Sequence, residues 1–319
     1  MTPDEVDKLT RTLENKFRRS FVEMVSSIRQ ENTPRELADK IANGRLDDMI
    51  EGVDVAVEKF STDISAGYVR AGQKSATWLN DKVPRPVKFN IAAEEALDWM
   101  EAKQNDIVRR MGSEAQEVAR MVVASGRSRG LTDLEIGAEI QRSIGLTPDQ
   151  YQHVSSYRTA LESGNYRNAI NRELADARSI RSLRAADQAG TFVAPARVAM
   201  MVDRYTDNWI RFRADNIAIT EATGAAHAGS LESIRQALRN GDIGAQDIEL
   251  TWLTRGDHRV RHSHSFMSGQ KRRLGDPFLS GAGNLLMHPG DRNAPASDTV
   301  RCRCRLRIGI KRRLNIRRA

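Results

Sequence analysis

The side chains able to do chemistry crowd into residues 252–307 of this sequence. Asp257-His258-Arg259-Val260-Arg261-His262-Ser263-His264 is nearly all polar, a loop rich in Gly and Pro follows Gly269, and Pro289-Gly290-Asp291 precedes Cys302-Arg303-Cys304. Both cysteines and four of the six histidines (His258, His262, His264 and His288) lie here. Two thiols two positions apart on one strand face, joined by His264, His262 or His258, make a tetrahedral sulfur–nitrogen set suited to zinc. The competing reading packs both thiols as small apolar side chains under a sheet, since Cys302 and Cys304 share a strand face with Leu306 and Ile308. A Cys302–Cys304 disulfide is disfavoured, because alternate residues of a strand sit too far apart at Cα. Zinc on His264, Cys302 and Cys304 is thus the one cofactor the sequence offers.

Asp257, His258, His262 and His264 also fit a metal-dependent nuclease, with a histidine as general base and the carboxylate on a divalent ion. The favoured alternative is a loop network. Asp257 then accepts backbone hydrogen bonds, and Arg259 and Arg261 pair with acids such as Glu221 or Asp291. No nucleophile has an obvious base, and neither a phosphate-binding loop nor a dinucleotide fingerprint is present. No residue is assigned a catalytic role.

Everything upstream must position this stretch, and it reads as helix. Thr2-Pro3-Asp4-Glu5 is a capping box, and Val6, Leu9, Leu13, Phe17, Phe21, Met24 and Ile28 form one apolar stripe over residues 2–30. Thr33-Pro34-Arg35-Glu36 opens a second helix whose stripe runs on to Ile64, with Gly44 and Gly52 as weak points. Pro84 and Pro86 forbid helix between them and mark a boundary. Further helices are expected over 92–125, 132–143, from Thr147, over 166–188, from Pro195 past Ile219, and over 230–240. The period then changes to two. Ile248, Leu250 and Trp252 alternate with polar residues, and residues 300–310 alternate more strictly, so the two segments should pair in a small sheet. The expected fold is mainly α, with elongated helical N-terminal and middle regions and a small α+β C-terminal module. The expected divisions are 1–82 (a helical hairpin), 89–245, 246–310 and a basic tail at 311–319.

Charged residues make up 29% of the 319, and aromatics only 5%. No apolar run reaches the length of a membrane-spanning helix, and no secretory signal is visible. Two cysteines make no disulfide framework, which points to synthesis in a reducing cytosol. The net charge of +8 is concentrated at one end: residues 301–319 hold nine basic side chains and no acid, leaving 41 basic against 42 acidic elsewhere. Alternation turns Arg301, Arg303, Arg305 and Arg307 outward, and Lys311, Arg312, Arg313, Arg317 and Arg318 extend the row. Such a row suits the phosphates of double-stranded DNA, read without regard to sequence, or an acidic protein surface.

In order and spacing, Trp252, Asp257, Arg259, Arg261, His264, Gly269, Pro289-Gly290-Asp291 and Cys302-Arg303-Cys304 resemble the phage minor head proteins typified by protein F of phage Mu. An upstream signature is matched by Arg213, Ala214, Ile217, Ala218, Thr220 and Glu221, and the likeness spans about residues 89–307. Ile219, His288 and Arg301 depart from the common pattern. The resemblance implies a non-enzymatic structural protein of the virion, made in the host cytoplasm. It would sit in several copies inside the head near the portal and act in assembly, packaging or ejection. Its implied partners are the portal or other head or scaffold proteins and double-stranded DNA, with no membrane. The alternative is a nuclease or toxin module carried on a head-protein scaffold. Glu221, on an otherwise apolar helix face, either needs a cationic partner, with Arg259 or Arg261 as candidates, or is simply exposed, since Asp215 and Asn216 show that the helix also has a wet face.

Overall fold

A computed structural model describes residues 1–83 and 85–310. The fold is mainly α with a small α+β C-terminal part. Nine helices come first: α1 (Pro3–Glu31), α2 (Pro34–Ala42), α3 (Val53–Asn80), α4 (Glu94–Ser128), α5 (Asp133–Ser143), α6 (Pro148–Glu162), α7 (Tyr166–Ile170), α8 (Ala177–Ala189) and α9 (Pro195–Arg239). Then follow β1 (Ile248–Leu253), α10 (His262–Ser265), β2 (Lys271–Arg272), β3 (Phe278–Leu279), β4 (Leu285–Leu286), α11 (Ala296–Thr299) and β5 (Arg305–Ile310). Among the described residues no helix is long and apolar enough to cross a membrane.

The helix starts are chemical. Thr33, Thr132 and Thr147 each accept from the backbone three residues on, and Glu36, Glu135 and Gln150 return the bond. These are capping boxes that satisfy otherwise orphaned N–H groups. Several helices differ from expectation. The stripe from Thr33 to Ile64 is cut into α2 and α3, because Gly44 and Gly52 take φ of +69°. Residues 166–188 break between α7 and α8, where Leu174 has φ +67° and Asp176 caps the second helix. Conversely, α9 runs unbroken for 45 residues where two helices were expected.

Contacts divide the chain into two compact units. One combines residues 21–59 with 106–214. In it α5 lies so close to α2 that a Cβ on Gly137 would stand 2.4 Å from the Pro34 carbonyl oxygen. Arg213 is buried there, donating to Gly145 O at 3.0 Å and pairing with Glu114.

The other unit combines, among the described residues, 1–20, 60–105 and 215–310. Its sheet has the order β2-β1-β5, all antiparallel, with Ile248 opposite Ile310, Leu250 opposite Ile308 and Trp252 opposite Leu306. These six line up on one face, which packs on Ala76 and Leu79 of α3 and Leu231, Ile234 and Ala237 of α9. The N-terminal helix joins this unit through charge. Asp7 accepts from Arg255 at 2.8 Å and Arg305 at 3.0 Å, and Glu14 meets Arg303 at 3.3 Å. Through Asp7, α1 thus holds groups that arrive more than two hundred residues later.

Candidate functional site

The loop between β1 and β2 is closed at its base by a backbone pair. Gly269 donates to Trp252 O at 2.8 Å, and Trp252 donates to Gln270 O at 3.0 Å. Gly269 has φ +83°, a left-handed value glycine adopts without strain. Inside the loop Asp257 Oδ1 accepts from the Arg259 backbone at 3.0 Å, and α10 then carries His264 inward until it is 1% exposed.

The cysteine segment is fixed from α9. Thr220, Thr223 and His227 lie three and four residues apart, on one helix face. The Thr220 hydroxyl accepts from Arg301 N at 2.9 Å, the Thr223 hydroxyl donates to Cys302 O at 3.0 Å, and His227 Nε2 accepts from Leu306 N at 3.2 Å. This replaces the strand expected from residue 300. Arg301 takes φ +55°, pairing starts only at Arg305, and Val300 is exposed instead of sharing the buried face.

Cys302 and Cys304 are nevertheless both buried, and their sulfurs lie 3.7 Å and 3.5 Å from the same atom, His264 Nδ1. All three ligand atoms lie within 4.8 Å of one another. The hydrogen bond from Cys304 drives the Cys302 thiol well below its usual range, and the same bond with burial drives Cys304 upward. On the far side of the ring, His264 Nε2 lies 3.3 Å from Asp298 Oδ1, an electrostatic contact without hydrogen-bond alignment. Asp298 accepts from Asn284 (2.8 Å), Ser263 (3.1 Å) and Ser280 (3.3 Å). Burial resists its charge, but the bonds from Asn284 and Ser263 and the nearness of His264 prevail and lower its pKa.

His264 and Cys304 border a cleft of about 370 Å³ whose wall also holds Arg255, Asp257, Arg259, Val260, Arg261, Arg301 and Arg303. Five guanidiniums line it against one carboxylate, an excess of positive charge that Asp7 and Glu14 partly offset. Two of the five are engaged on α1 as above; Arg259 contacts Asp257 at 3.2 Å with its side chain 70% exposed, and Arg261 donates to Val300 O.

Residues 152–307 match the family model described as Phage Mu protein F like protein. That match supports a Mu protein F-like phage head family. No curated protein and no solved structure matches the chain.

The Mu protein F-like stretch contains most of the motif residues, and the structure sorts them. Trp252 is fully buried, edge-on to His264 at 5.8 Å and tilted on Phe278 at 5.2 Å. Asp291 is buried and organises its own loop, accepting from Met287 N at 2.8 Å and Asn293 N at 3.0 Å, so it does not pair with Arg259 or Arg261. Glu221 does not pair with them either. Its partner is Lys103 of α4 at 2.7 Å, with side chains 6% and 12% exposed. Arg213 belongs with Glu114, not with the site. His258 and His262 stay exposed, leaving His264 as the histidine beside the thiols.

In the arginine row, Arg303 and Arg305 turn to the acids of α1, Arg301 meets Asn216 at 2.6 Å, and Arg307 is exposed. Lys311, Arg312, Arg313, Arg317 and Arg318 lie outside the described residues. Asp298, Lys103, His227 and His288 were not singled out for these positions in the sequence. Both histidines are buried with rings stacked at 6.4 Å. Burial is the largest cause that lowers each pKa, taking His227 to about 3.

Proposed function

We propose that the protein is a structural head protein that sits beside the portal and touches packaged DNA through its phosphates. The observation that carries the DNA contact is the cleft with five guanidiniums on its wall. Arginine forks match phosphate oxygens, and nothing in the cleft is arranged to read base edges, so contact is independent of sequence. Arg307 has an exposed side chain, and the sequence carries five further cations in residues 311–319. The match to a phage head family model supports the site of action, and the portal is the head partner we assign.

The test is a filter-binding titration of the intact protein with duplex DNA over a range of salt. If about six phosphates are contacted, log affinity falls with log salt at a slope of about −5, from roughly −0.9 per phosphate. Arg259→Ala should flatten the slope by about one unit, and truncation after Ile310, which removes five cations, by more. No binding at micromolar protein and low salt would leave the arginines to an acidic protein partner.

One observation favours a second reading as a metal-dependent nuclease: Asp257 and His264 border the same cleft. Plasmid incubated with the protein and Mg²⁺, Mn²⁺ or Zn²⁺ decides it. The structural reading expects no nicking; nicking by the wild type that is lost in His264→Ala would replace it.

A further inference from the structure

We propose that His264, Cys302 and Cys304 bind a single zinc ion, with water from the arginine cleft as fourth ligand. Metal–sulfur bonds of about 2.3 Å and a metal–nitrogen bond of about 2.0–2.1 Å, set at a tetrahedral angle, place sulfur and nitrogen roughly 3.5–3.6 Å apart. The two sulfurs stand 3.5 Å and 3.7 Å from His264 Nδ1. Both sulfurs converge on one ring nitrogen, whose single lone pair accepts only one S–H in good geometry. A metal ion between the three atoms satisfies both sulfurs and the nitrogen at once, each thiol giving its proton to solvent.

The other side of the imidazole completes the pattern. Asp298 faces Nε2, and is itself anchored by Asn284, Ser263 and Ser280. A carboxylate behind a ligating histidine sets the ring's orientation and strengthens the ligand. Three buried ligands and a buried carboxylate come from α10, α11 and the lead into β5, three segments with no local reason to converge. Two sulfurs and one nitrogen in a tetrahedral frame select zinc over magnesium or calcium, which take oxygen. Among the described residues no fourth Cys, His, Asp or Glu completes the group, whereas His264 and Cys304 both border the cleft. Solvent there reaches the remaining position.

The experiment uses the full chain purified without chelator or immobilised metal. Elemental analysis should find close to one zinc per chain, and replacement by Co²⁺ should give sulfur-to-cobalt charge transfer and the intense visible bands of a tetrahedral ion. Cys302→Ser and Cys304→Ser should lose the charge transfer in proportion to the sulfurs removed, with helical circular dichroism confirming the fold. Asp298→Asn keeps all three ligands and should weaken zinc about 10–100-fold in competition with a chromophoric chelator. Folded wild type that takes up no stoichiometric zinc when zinc is supplied overturns the proposal. So does a cobalt spectrum unchanged in the double serine variant, which would put the metal on exposed histidines.

Discussion

Glu221 and Lys103 form a nearly dry ion pair, and such pairs are felt most when one partner is removed. Glu221→Ala leaves an ammonium without its counter-charge and should cost about 3–5 kcal/mol in urea melts; an unchanged midpoint would contradict the pairing. The need for a partner was legible, because a carboxylate on an apolar helix face must be compensated. Its identity was not, because Lys103 sits on α4 and nothing in its local sequence sets it apart. His227 makes a pH prediction. Its folded pKa is depressed to about 3, whereas the unfolded chain takes up a proton near the usual 6.5. Its contribution is therefore complete above about pH 6.5 and is lost as pH falls toward 3, at up to roughly 1.4 kcal/mol per pH unit. His288 is shifted in the same direction by the same burial. Melts from pH 7.5 to 4.5 should show a shallower acid slope for His227→Gln than for wild type; equal slopes would sink the assignment.

At the scale of elements, Pro289-Gly290-Asp291 is a contact between backbones. Gly290 has φ +74°, and a Cβ there would stand 2.7 Å from Gly224 N of α9. Gly290→Ala should cost about 1–2 kcal/mol for the left-handed residue and a further 1–3 kcal/mol for overpacking. Gly283 is the control, since it has φ +82° with nothing within 4 Å, and Gly283→Ala should carry the first cost alone. Equal melting shifts for the two would contradict the close approach. Helix stripes and the β1–β5 pairing were legible because period 3.6 and period two are written in the apolar residues themselves. The path of residues 300–304 was not. Cys302 and Cys304 alternate as a strand would, but side chains of α9, not a ladder partner, hold Arg301 N and Cys302 O. The unbroken α9 was hidden by a run of Ala and Gly that carries no stripe, and Asp298 by partners drawn from three other loop positions.

At the scale of the molecule, the first helix is tied to the end of the chain. Proteolysis near residues 82–88, where the half-buried Lys82 and the exposed Arg85 and Lys88 lie, should leave both fragments together on gel filtration, because Asp7 and Glu14 hold Arg255, Arg303 and Arg305. An N-terminal fragment that elutes alone in native buffer would restore an independent hairpin. That organisation follows from charge pairs between the two ends of the sequence, which periodicity cannot report. The proposed site of action is the phage head beside the portal. Cross-linking mass spectrometry on intact purified particles tests it most directly. The account predicts that the chain is present in several copies and cross-linked to the portal protein. Its absence from assembled heads and finished particles alike, or links confined to tail proteins, would contradict it.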